Sequence, residues 1–173
     1  MTDVYLSYNN IISSLGFDSE TVVNNIHNQV SGLQLIKDKN LLPQPFYSSI
    51  INTKALSKSF TSLKDEGNYT KLEQTMITSL NNVIKSSKIT LTKNVGLIIS
   101  TTKGNIDALD ESNEFSKERA YLSVLGSAIK DFFQFKNDAI VVSNACVSGI
   151  LAVAVAKRYI NQGTYDKVFI VSG

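Results

Sequence analysis

The segment 139–173, AIVVSNACVSGILAVAVAKRYINQGTYDKVFIVSG, constrains the fold of this chain more than any other part of it. A short β-branched run at 139–143 is followed by an Ala- and Val-rich stretch from about residue 147 to 162, and then by a second β-branched run at 167–171. Parallel neighbours need a connection of roughly a dozen residues or more, usually a helix, so this order predicts a strand-helix-strand unit. The run VGLIIS at 95–100 is apolar without alternation, as a strand covered on both faces must be. Two more helices are marked by apolar residues at helical spacing. One carries Tyr69, Leu72, Met76, Ile77, Leu80, Val83 and Ile84, with Lys71, Glu73 and Asn81 on its wet face; the other carries Tyr121, Leu122, Val124, Leu125, Ala128, Ile129, Phe132 and Phe133. Strands alternating with helices predict an α/β fold whose sheet is largely parallel, with right-handed crossovers.

The helix after residue 146 is apolar on nearly every side. Ile150, Leu151, Val153, Ala154, Val155 and Ala156 point in almost all directions at 100° per residue, so this helix is expected to be buried all round. One sheet covers one side of it, and a second layer has to cover the other. The remaining elements are less regular. Residues 4–12 begin with a strand-like run; Asp18 or Ser19 then caps a helix bearing Val22, Val23, Ile26, Val30 and Leu33, which Gly32 ends. Residues 37–60, with Pro43-Gln44-Pro45 and scattered Ser and Lys, read as a long surface excursion with room for a short strand or helical turn. Ser116 is placed to cap the helix that follows it, and Phe132, Phe133 and Phe135 read as core with a share in an interface.

A chain of 173 residues, 43% hydrophobic, suits one domain with a sizeable core. Seventeen basic against fifteen acidic residues leave a net charge of +2, which argues against a protein built to neutralise nucleic-acid phosphates. A single cysteine and a start lacking both a basic region and an apolar core point to the cytoplasm. The longest apolar run is broken by Lys157 and Arg158, so no membrane span is expected. His27, on an Asn- and Gln-rich helix face far upstream of the cysteine, reads as a solvated residue. Lys54, Lys58, Lys64 and Lys71 form a modest basic group, read as surface lysines or as a patch for an acidic partner. Neither a cofactor motif nor a metal-ligand set is present. Thr101-Thr102-Lys103-Gly104 follows a strand but lacks the spacing of a phosphate-binding P-loop, and reads as a strand-end turn.

Cys146 falls where the strand at 139–143 hands over to the helix. Backbone N–H groups at a helix start are unpaired and partly positive, the setting in which proteins build reactive thiols. Ala145, Ser148 and Gly149 keep the surroundings small enough for a carbonyl to approach the sulfur. The competing reading is a small apolar residue that fills space, since free cysteines are often buried for packing alone.

Asn144-Ala145-Cys146-Val147-Ser148-Gly149, followed by the Ala- and Val-rich helix, Gly163 and a strand ending in Ser172-Gly173, resembles the active-site segment of β-ketoacyl synthases, condensing enzymes of the thiolase fold. Two further segments agree in the same order: VYLSYNNIISSLGFDSETVVNNIHNQVSGLQL at 4–35 resembles the opening strand, loop and first helix of that family, and VGLIISTTKGNID at 95–107 its second strand and Thr-Thr-Lys-Gly loop. The resemblance covers nearly all of the chain but only the first half of the family's length.

This resemblance implies one αβα half of a thiolase-like fold, residues 1–173, with a mostly parallel mixed sheet and a buried central helix after the nucleophile. The second half, which packs on that helix in the family, is absent, and the chain reads as a truncated fragment. Cys146 would accept an acyl group from acyl carrier protein, its backbone N–H serving as one oxyanion donor, and a malonyl thioester would lose carbon dioxide to supply the attacking carbanion. The histidine or asparagine and lysine partners belong to the second half, so this chain alone should not condense. The Thr-Thr-Lys-Gly loop would shape the active-site floor or a subunit contact, and two copies would pair through the strand at 139–143 about a two-fold axis. The alternatives are a coenzyme A thiolase, a noncatalytic chain-length or scaffold subunit, and, less well supported for want of a histidine downstream of Cys146, an unrelated cysteine hydrolase.

Overall fold

A computed structural model describes residues 3–63 and 67–173. Three parallel strands form its centre. β3 (Val95–Ser100) lies between β4 (Ile140–Val142) and β5 (Lys167–Ser172), and all six residues of β3 are buried. That burial explains the unbroken apolar run: successive side chains of β3 go to opposite faces, and both faces are covered. Leu97 and Ile99 join the larger core with Met76, Ile77 and Leu80 of α3 (Lys71–Ser87) and Leu125 and Ile129 of α4 (Leu122–Phe133). Ile98 faces the other way, onto Ala152 and Ala156 of α5 (Ser148–Asn161). The chain is therefore α/β, with helices on both sides of a small parallel sheet.

α5 departs from the expectation of burial all round. Ala152 and Ala156 are buried against the sheet, while Val147 and Ile150 on the opposite side are 53% and 75% exposed. Nothing else among the described residues covers that face. Phe135 is buried and Phe132 and Phe133 pack against the same core, where edge-to-face ring contacts link Phe133 to Phe135 and Phe135 to Phe169.

The N-terminal region differs most from the sequence reading. Residues 3–12 form no strand; Tyr5 and Leu6 are about 80% exposed, and the segment is tied down near its end, where the Asn10 amide donates to Ser79 Oγ of α3 at 3.0 Å and to the Phe17 carbonyl at 3.4 Å. A cavity of about 820 Å³ is lined by residues 3–10 and by β5, and the segment pairs with none of the described strands. α1 (Ser19–His27) starts at Asp18 as expected, with the Asp18 carboxylate accepting from Thr21 N at 2.7 Å, but Gly32 does not end it. Termination comes at Gln29, in the left-handed region at φ 58°, with its N–H donating to Ile26 O and the Val30 N–H to Asn25 O. Val23, Ile26, Val30 and Leu33 are exposed, and Val22 alone of that stripe is buried. The excursion at 37–60 is more ordered than the sequence suggests. β1 (Leu33–Ile36) and β2 (Phe46–Ser49) pair antiparallel, and α2 (Thr53–Thr61), capped by Asn52, sends Leu56 and Phe60 into the interior. Ser116 precedes a 3-10 turn rather than α4, and its side chain makes no cap.

Candidate functional site

β4 stops at Val142, and the turn into α5 passes through Ala145, which has φ 44°. This left-handed conformation is uncommon for a residue with a Cβ and is tolerated best when that residue is small. Residues Ala145–Val147 make one 3-10 turn and α5 follows from Ser148, so Cys146 sits in the turn directly ahead of the helix, and it is exposed. Cys146 belongs to neither of the two core clusters of the described residues.

Hydrogen bonds hold the turn from both sides. Ser148, buried at the start of α5, accepts from Asn144 N at 2.7 Å and donates from its hydroxyl to the Ala145 carbonyl at 2.7 Å. From the loop after β3, the Thr102 hydroxyl donates to the same carbonyl at 3.1 Å, and the Ser143 hydroxyl returns a longer bond to Thr102 O at 3.4 Å. The Val147 N–H is used by Asn144 O and the Ser148 N–H by Ala145 O, whereas the Cys146 N–H meets no acceptor among the described residues. No side chain caps α5. A free amide next to an exposed sulfur is what a negatively charged carbonyl oxygen would need. Glycine at 149 is not demanded by packing within the chain, since a Cβ there would come only to 3.8 Å from Ser172 Oγ.

The loop at 101–105 is fixed from beneath by a polar cluster that the sequence reading missed. Glu73, expected on the wet face of its helix, is fully buried. Its carboxylate accepts from Thr70 N at 2.9 Å, from the Asn105 amide at 2.8 Å and from the Arg119 guanidinium at 2.6 Å; Thr70 Oγ1 donates to Asn105 Oδ1 at 2.6 Å. The carboxylate is tolerated inside because its charge is matched and its oxygens are bonded. A signal for part of this was present: Thr70-Lys-Leu-Glu73 has the spacing of a capping box, which Thr70 and Glu73 form reciprocally. Asn105 and Arg119 carried no comparable mark.

The other singled-out residues lie apart from Cys146. His27 is exposed on α1; Lys54 and Lys58 are exposed on α2 and Lys71 at the start of α3, while Lys64 lies outside the described residues. No group of His, Cys, Asp or Glu among the described residues is arranged to hold a metal, and none of their helices is long and apolar enough to cross a membrane. Burial raises Tyr165, and three other displaced titrations belong to local caps and surface pairs. The Thr21 N–H and hydroxyl hold Asp18 below the usual carboxylate range, the Ser112 N–H and hydroxyl do the same for Asp110, and hydrogen bonding and charge from Asp138 raise Lys130. The 820 Å³ cavity reaches Gly149 and Val153 of α5 but not Cys146.

No protein-family model matches this chain, and no curated protein sequence matches it significantly.

Proposed function

We propose that this chain is the N-terminal half of a β-ketoacyl synthase of thiolase-like fold, in which Cys146 holds the acyl group. The observation that carries the reading is the exposed sulfur of Cys146 beside its own unengaged N–H, in a turn between a strand of a parallel sheet and α5. Two further features support it. The outward face of α5, with Val147 and Ile150 exposed, is where such a reading requires a second α/β half. Among the described residues β4 stands at the edge of the sheet, where a two-fold partner would pair with it.

In this function the Cys146 sulfur, having given up its proton, adds to the thioester carbonyl of an acyl group on acyl carrier protein. A carbon–sulfur bond forms, the oxyanion rests on the Cys146 N–H, and collapse expels the carrier thiol, which takes up a proton. The product is again a thioester, so the acyl carbon stays open to a carbanion. A malonyl thioester then loses carbon dioxide; its enolate carbon attacks the acyl carbonyl, and the bond to Cys146 breaks as the new carbon–carbon bond forms. The chain supplies the acyl-accepting sulfur and one oxyanion donor. His27, exposed on α1, is no candidate for the decarboxylating step, so the chain by itself takes up acyl groups without releasing carbon dioxide from malonyl carrier protein.

The test is intact-mass analysis after incubation with acyl-loaded acyl carrier protein. Wild type is expected to gain one acyl group and Cys146→Ala none. Equal labelling of the two, or no labelling of either, contradicts the proposal.

A further inference from the structure

The loop after β3 and the turn before Cys146 are joined by the Thr102 hydroxyl on Ala145 O, the Ser143 hydroxyl on Thr102 O and the Thr101 N–H on Val142 O. We propose that Thr102 is a positioning residue: its hydroxyl, with that of Ser148, holds Ala145 in the left-handed conformation and thereby aims the Cys146 N–H at the acyl oxygen. This inference rests on Cys146 being the acyl acceptor.

Ala145 at φ 44° has no glycine freedom to make that conformation easy. Its carbonyl is held by three donors, the Thr102 hydroxyl, the Ser148 hydroxyl and the Ser148 N–H. Both Ser148 donors belong to the turn itself and shape it locally, without fixing it against the sheet. Thr102 comes from 43 residues away and ties the turn to β3. It is well set for that task. Thr101 N donates to Val142 O at 3.2 Å, Gly104 N returns to Thr101 Oγ1 at 3.0 Å, and Gly104 closes the loop with φ 56°, where a Cβ would meet Leu122 Cδ2 at 2.6 Å. Asn105, fully buried, anchors the loop to Glu73 and Thr70 and donates to Arg119 O at 3.2 Å. A buried polar framework rooted in α3 thus ends in one exposed hydroxyl on the carbonyl next to the nucleophile. A bond between hydroxyl and carbonyl is lost in Thr102→Val and kept in Thr102→Ser.

Two reactions of the same sulfur separate positioning from general damage. Acyl transfer passes through an oxyanion and needs the aimed N–H; alkylation by iodoacetamide is displacement at a saturated carbon and does not. In Thr102→Val, acyl transfer from acyl carrier protein to Cys146 is expected to slow by about tenfold or more, with alkylation changed by less than about twofold. Thr102→Ser is expected to restore transfer. A crystal structure of Thr102→Val is expected to show Ala145 out of the left-handed region. Native transfer in Thr102→Val overturns the proposal, as does equal slowing of both reactions. A variant crystal structure with Ala145 unchanged overturns it as well, and does so whether or not the unaltered chain accepts acyl groups; absence of acylation in the unaltered chain would instead remove the acyl-acceptor reading.

Discussion

Residues 3–50 and the sheet-forming part from 95 onward hold similar kinds of apolar side chain but bury them very differently. In the first region Val22 is the one buried residue, and Tyr5, Leu6, Val23, Ile26, Leu33 and Leu41 are open to solvent. In the second, every residue of β3 is buried and two helical layers close over it. Apolar content therefore did not decide burial, and neither did pairing alone, since β1 and β2 pair yet leave Leu33, Leu35 and Tyr47 exposed; what separates β3 is that helices cover both of its faces. β3 has hydrogen-bonded neighbours on both sides, whereas residues 3–12 pair with none of the described strands and line a cavity with β5.

This contrast can be broken most forcefully in the centre. Ile98→Ala or Ile99→Ala removes a fully buried side chain from one face of the sheet or the other, and each is expected to cost about 3 kcal/mol in a denaturant titration, while Leu33→Ala or Val23→Ala is expected to stay within about 0.5 kcal/mol. Comparable losses at the two sets would show that the N-terminal region is buried after all. Glu73→Gln comes next. It weakens the bond to Arg119 and the cap of α3, and a loss of about 2 kcal/mol is expected, kept below the usual figure for a broken buried pair because Arg119 is about a quarter exposed. Thr70→Ala, which removes one half of the capping box and the bond to Asn105, is expected to cost about 1–2 kcal/mol.

The smallest effect lies in the open region and depends on pH. Asp18 titrates below its ordinary value of 3.8 because the folded chain bonds its ionised form. The unfolded chain takes up that proton first, so the contribution of Asp18 is complete above the ordinary value and fades as pH falls through the folded one. Asp18→Asn keeps an acceptor for the cap but has no charge to lose. The difference in melting temperature between wild type and Asp18→Asn should therefore shrink on going from about pH 6 to about pH 3, and a constant difference would show that the cap charge contributes nothing.

The legible elements were those where local pattern and burial agree. The continuous run at 95–100 identified β3 because a strand covered on both faces is held to mostly apolar residues, and the strand-helix-strand order at 139–173 placed β4 and β5 to within a residue or two. Pattern failed where the partner was remote or missing. Residues 4–12 have the composition of a strand without a paired neighbour. Glu73 looked wet because its charge is satisfied by Arg119, 46 residues further on, and no spacing rule reports that. α5 looked enclosed, and half of it is. At the site, the position of Cys146 at a strand-to-helix turn was readable. The left-handed Ala145 and the bond from Thr102 were not, since they arise from two loops meeting in space.

The most direct measurement is a crystal structure of the chain after reaction with an acyl thioester. The account predicts a thioester on Cys146 whose carbonyl oxygen lies within hydrogen-bonding distance of the Cys146 N–H, with Ala145 still left-handed. An acyl group found on lysines with Cys146 unmodified, or a carbonyl turned away from that N–H, would contradict it.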